Sequence, residues 1–146
     1  HNIDGGVFAN NPALLGLVEA SHSLKIPYDK IKILSLGTGS SAFNEKRNHS
    51  FSILYWLNPL NFKLYDLFSS AQSIHTDNLL KFLERGIGAG HSSRFHYKRI
   101  QHTFPYGKEI KMDSSSADDL RDLENLGQHL FRNHVKNILD IPHYTL

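Results

Sequence analysis

The chain has 146 residues, a formal net charge of +2, 40% apolar and 21% charged residues and no cysteine. One ordinary globular domain fits that size, and so small a charge, spread over scattered Lys and Arg, argues against a nucleic-acid partner. The missing cysteines exclude disulfides, zinc–thiolate sites and a thiol nucleophile, and no apolar run reaches the length of about 18 residues that a spanning helix needs.

In chain order, the first feature is Asp4-Gly5-Gly6, followed by Val7-Phe8-Ala9. Asn11 and Pro12 then predict a helix over 11–25, with Asn11 as N-cap and Pro12 where its missing N–H is harmless. Leu14, Leu17, Val18, Ser21 and Leu24 form its stripe, and Pro27 ends it. Residues 31–36, Ile-Lys-Ile-Leu-Ser-Leu, predict a short buried strand of a parallel sheet, bounded by Gly37 and Gly39. Residues 51–68 hold six aromatics, Phe51, Tyr55, Trp56, Phe62, Tyr65 and Phe68. Core packing is the plainer role for them, and contact with a lipid surface is the alternative.

A second helix is expected over 63–85, with the stripe Leu64, Leu67, Phe68, Ala71, Ile74, Leu79 and Phe82, and with Arg85 and Gly86 at its end. Residues 86–93 read as a glycine-rich loop. Residues 95–101 alternate as a strand, with Phe95, Tyr97 and Arg99 on one side and His96, Lys98 and Ile100 on the other. A loop over 103–116, with room for a short extended piece, leads to a third helix over 117–139, capped by Ser116, with Asp118 and Asp119 in its first turn. Its stripe is Leu120, Leu123, Leu130, Phe131, Val135 and Ile138; Gly127 lies beside it and suggests close packing. Helices alternating with strands point to a layered α/β domain.

Asp-Gly by itself is a hairpin turn. Here no alternating strand follows, and a second glycine gives more backbone freedom than a hairpin needs. A carboxylate at a strand end, with glycines that let a partner side chain or substrate approach, is the functional alternative. Asp-Gly-Gly-Val-Phe-Ala-Asn-Asn-Pro-Ala, a helix, and then Ile-Leu-Ser-Leu-Gly-Thr-Gly at 33–39 together resemble the C-terminal part of the patatin-like phospholipases. The match is specific over residues 3–39 and weak beyond them.

The resemblance implies a three-layer α/β/α fold, of which this chain holds the C-terminal portion. It implies lipid acyl-ester hydrolysis by a Ser-Asp dyad, with Asp4 as the catalytic carboxylate and Gly5 and Gly6 shaping its loop. It implies no cofactor and no metal, a lipid or phospholipid substrate, and peripheral membrane contact. In the family the serine sits upstream in a Gly-x-Ser-x-Gly elbow, and none occurs here. Gly37-Thr38-Gly39-Ser40-Ser41 puts Thr at the nucleophile position, and Gly90-His91-Ser92-Ser93-Arg94 ends in a bulky Arg. Because the chain opens at His1, inside the motif, a nucleophile-bearing N-terminal part is expected upstream, and these residues alone are expected to be inactive. Two strands are too few to shelter such apolar helices, so this segment should pack against that N-terminal part or self-associate. The lack of cysteine suits a reducing compartment, cytoplasmic or at a membrane surface.

A serine hydroxyl is a poor nucleophile until a base takes its proton, and a carboxylate can do so directly when partly desolvated. Two other functions compete. One is a non-catalytic pseudoenzyme or binding fragment. The other is nucleotide binding, because Gly37-Thr38-Gly39-Ser40-Ser41-Ala42 matches a dinucleotide fingerprint. That fingerprint must open a helix, and residues 43–49 carry no helical stripe. The ten histidines include no His-x-x-x-His pair that would place two imidazoles on one helical face.

Overall fold

A computed structural model of the chain describes residues 4–41, 63–86, 95–105, 108, 110 and 114–139, without the side chains of 41, 63 and 135–139. The expected loop over 87–93 and the aromatics Phe51, Tyr55, Trp56 and Phe62 lie outside the described residues. Mixed helix and strand confirm the α/β class. The strands form two separate pairs among the described residues, in two compact units: residues 1–37 with 43–99, and residues 38–42 with 100–146.

In the first unit, α1 (Gly5–Ala9) is followed by α2 (Ala13–Val18), which widens into a π-helical turn over Glu19–Ser23. The expected helix over 11–25 therefore starts at Ala13 and ends at Ser23. Its end is a left-handed closure at Lys25, φ 56°, across which the Ile26 N–H reaches the Ala20 carbonyl at 2.9 Å. Asn11 still serves the helix start, accepting the Ala13 N–H at 3.3 Å. Strand β1 (Lys32–Leu36) pairs with the later strand β3 (His96–Ile100).

The core of this unit is Leu17, Ile31, Leu80, Phe95 and Tyr97, with Ala13, Leu14, Ala20, Ile33 and Leu83 packed against it. Phe95, just ahead of β3, and Tyr97 are thus buried on one side of the strand, and Ile100 on the other side is buried too. The expectation of a strand buried on both faces does not hold for β1. Ile31 and Ser35 are buried and Ile33 half-buried, while Leu34 and Leu36 are exposed, Leu36 at 69%. Only one face of β1 is covered by described elements, so burial alternates along it with the strand period of two.

Helix α3 runs over Lys63–Arg85, as the sequence predicts, and Gly86 follows it. The face it buries differs from the predicted stripe. Leu80 is fully buried and Thr76 nearly so, with Ser69, Gln72 and Leu83 half-buried on the same side. Phe68 (66% exposed), Ile74 and Phe82 look outward. Counting apolar residues picked the larger stripe, whereas the covered stripe carries the Gln72 amide and the Ser69 carbonyl, both of which find hydrogen-bond partners.

Neighbouring residues of α3, Ser73, Asp77 and Glu84, bond to β3. The Tyr97 hydroxyl donates to Asp77 at 3.0 Å, and the Tyr97 N–H donates to Glu84 at 2.8 Å. Burial, with Asp77 alongside, pushes the Tyr97 phenol above its ordinary pKa. Arg99 donates to Ser35 at 2.6 Å and to Ser73 at 3.0 Å, and the Ser35 hydroxyl donates to Asn11 at 3.2 Å. This chain of bonds ties β3, α3, β1 and the start of α2 together, and it satisfies the buried Asn11 oxygen and the Ser35 hydroxyl.

In the second unit, β2 (Ser40–Ser41) pairs in parallel with β4 (Thr103–Phe104), in the register Ser40 to Thr103 and Ser41 to Phe104. Helix α4 spans Ala117–Leu139, and Ser116 caps it by accepting the Asp119 N–H at 3.1 Å. Hydrogen bonds from the Ser114 and Ser116 hydroxyls hold the Asp119 carboxyl below its usual range. Leu120, Leu123 and Phe131 of the predicted stripe are exposed and Leu130 is half-buried; the side chains of Val135 and Ile138 lie outside the described residues.

Close packing at Gly127 is not found: a methyl there would meet nothing within 4 Å. Gly127→Ala is therefore expected to stabilise the protein by about 1 kcal/mol, the helix-propensity difference at an open site. Urea unfolding checks it; a lower midpoint would show that the position is crowded after all.

Candidate active site

Asp4 is the N-cap of α1, so the Asp-Gly-Gly run starts a one-turn helix and is not a loop. Its Oδ1 accepts the Gly6 N–H at 2.7 Å and its carbonyl accepts the Val7 N–H at 3.1 Å. An aspartate with an extended backbone ahead of a helix makes this bond readily, because the first N–H groups of the helix have no partner of their own. Asp4 is exposed, and no other described residue reaches its carboxylate.

The two glycines differ in surroundings. Gly5 faces open space. A Cβ on Gly6 would lie 3.3 Å from both Asp4 Oδ1 and the Tyr65 hydroxyl, so Gly6 is where the carboxylate folds back and α3 comes close. The side chain that comes close at Gly6 is Tyr65.

Two further residues of α3, which sequence reasoning did not single out, hold the far end of α1. Gln72 Oε1 accepts the Asn10 N–H at 2.7 Å, and its Nε2 donates to the Phe8 carbonyl at 2.6 Å. The Ser69 carbonyl accepts from Asn10 Nδ2 at 3.4 Å. The signal was present: Tyr65, Ser69, Gln72 and Thr76 recur at helical spacing along one side of α3. It was masked by the stronger apolar stripe on the other side. Val7 and Phe8, which follow the motif, are exposed, Phe8 at 73%.

The segment Gly37-Thr38-Gly39-Ser40-Ser41 does not open a helix, since Ser40–Ser41 is strand β2. The fingerprint reading therefore lacks the helix N-terminus that a pyrophosphate needs. Among the described residues no group of three or more His, Asp or Glu could hold a metal ion, and no helix is long and apolar enough to cross a membrane.

No protein-family model matches the chain, and no solved structure matches it significantly. Several plant proteins do match. The chain is 32% identical over 152 residues to patatin-like protein 2 of Arabidopsis thaliana, covering 93% of this chain and 36% of that protein. It is 27% identical to patatin-like protein 1 of Oryza sativa subsp. indica, covering 93% of this chain and 36% of that protein. It is also 27% identical to patatin-like protein 4 of Arabidopsis thaliana, covering 98% of this chain and 39% of that protein. The chain thus spans little more than a third of the length of these curated relatives. The chain is related to the patatin-like proteins, and the relationship runs along nearly all of its own length.

Proposed function

We propose that the whole protein hydrolyses acyl esters of lipids by a Ser-Asp dyad, with Asp4 as the base. The observation that supports this most is that Asp4 is fixed through one carboxylate oxygen to the turn that follows it and accepts no hydrogen bond from another described side chain, although it is exposed among the described residues and the partial desolvation a carboxylate base needs would have to come from other chain. A base needs that combination of a held position and a free face. The serine is supplied by sequence outside these residues, and the exposed Val7 and Phe8 offer an apolar border suited to acyl chains.

The whole protein, given phosphatidylcholine in mixed micelles, is expected to release free fatty acid, and to do so equally with EDTA present. No release from any phospholipid or short-chain ester would favour the non-catalytic binding reading. Release that stops with EDTA would put a metal into the mechanism.

A further inference from the structure

We propose that Gln72 is a positioning residue for Asp4, an inference that rests on the reading of Asp4 as the base. A helix of five residues has no stability of its own, because nucleation costs more than one turn returns. Helix α1 is such a helix, and it is held at both ends by side chains. At its start the Asp4 carboxylate and carbonyl take the N–H groups of Gly6 and Val7. At its end the Gln72 amide brackets the chain, receiving the Asn10 N–H and donating to the Phe8 carbonyl, across 62 and 64 residues of sequence.

The bracket requires a donor and an acceptor on one planar group at that reach, and a glutamine side chain provides both. Its base is firm. One and two turns further along α3, on the same side, lie the nearly buried Thr76 and the fully buried Leu80, which joins the core. One turn and two turns in the other direction, Ser69 takes the Asn10 side chain and Tyr65 lies against Gly6. The row Tyr65, Ser69, Gln72 therefore splints α1 along its length. A single turn forms or frays as a unit, so releasing its end at Gln72 also releases Gly6 and Val7 from Asp4. Gln72 touches no reacting atom in this reading. It sets where the carboxylate stands.

The test uses the whole protein with Gln72→Met, which keeps the length and removes both bonds, and Gln72→Glu, which keeps the acceptor and loses the donor. Amide hydrogen exchange of Gly6, Val7 and Asn10 is expected to quicken about tenfold in the Met variant and less in the Glu variant. Ester turnover per folded molecule should fall about tenfold in kcat with KM unchanged, and the Glu variant should recover part of it. Wild-type exchange at these amides in Gln72→Met would overturn the clamp, whatever the activity does. Loosened amides with wild-type kcat would overturn its role in positioning. Asp4→Asn, measured alongside, separates the two readings: if that variant stays active the base assignment fails and the positioning role fails with it, while the exchange data still report on the bracket.

Discussion

Asp4→Asn in the whole protein is expected to melt at the wild-type temperature and to lose about 10²- to 10⁴-fold in ester turnover, the usual cost of removing a general base. The structure makes this a clean substitution. Asparagine is as good an N-cap as aspartate, and its Oδ1 can accept the same Gly6 N–H that Asp4 Oδ1 holds at 2.7 Å. The turn therefore survives, and what disappears is the capacity to take a proton from serine. Asp4→Ala provides the complementary control. It removes the cap as well as the base and should cost about 0.5–2 kcal/mol of stability in addition to activity. Turnover of a short-chain ester and a thermal melt, run on both variants, separate the two roles. An Asn variant that turns over a short-chain ester at near the wild-type rate would end the dyad assignment, because the amide cannot take the serine proton.

How much of this was legible beforehand differs from element to element, and the differences have physical causes. The limits of α3 and α4 follow from local rules, namely Gly86 after Arg85 and Ser116 before Asp118 and Asp119, and the structure places them where those rules say. Alternation separates the two sides of β3 but does not say which is covered, and the structure buries Phe95 and Tyr97 on one side and Ile100 on the other. Which face of α3 is covered did not follow. The half-burial of Gln72 goes with distant partners, Phe8 and Asn10, and no local pattern encodes a bond that spans 62 residues.

The site was legible in the same partial way. Asp4 and the close approach at Gly6 came from the motif. The helix at Gly5–Ala9 did not, because two glycines weigh against a helix by propensity. The Asp4 cap and the Gln72 bracket outweigh that propensity. The apolar side chains of Phe68, Phe82, Leu36 and Phe131 stand exposed in the described structure.

The strongest single demand on backbone geometry falls at Gly39, in the segment that imitates a dinucleotide fingerprint. Gly39 has φ +102°, a region closed to side-chain-bearing residues, and the Phe104 ring occupies the space where its Cβ would go. Phe104 cannot easily move away. Its backbone is paired with Ser41 in the β2–β4 ladder, and its ring packs edge-on against His102 with centroids 4.8 Å apart. Gly39→Ala therefore carries two costs, about 1–2 kcal/mol for the backbone conformation and about 1–3 kcal/mol for displacing a packed ring. The expected result is a fall in the thermal midpoint of several degrees, together with loss of the Ser40 N–H bond to His102, now 2.9 Å, seen as faster exchange of the Ser40 amide. Gly127→Ala makes the same chemical change in open space on a helix and should move the midpoint the other way. If Gly39→Ala melted like wild type, the close approach of Phe104 would not be a constraint on this turn. If instead both substitutions lowered stability alike, the cost would lie in adding a methyl anywhere on the chain and not in the conformation at Gly39. Under the fingerprint reading the glycine would be required for a ligand and its replacement would reduce nucleotide binding; here it is required by Phe104, and its replacement loosens the β2–β4 pair with no nucleotide present.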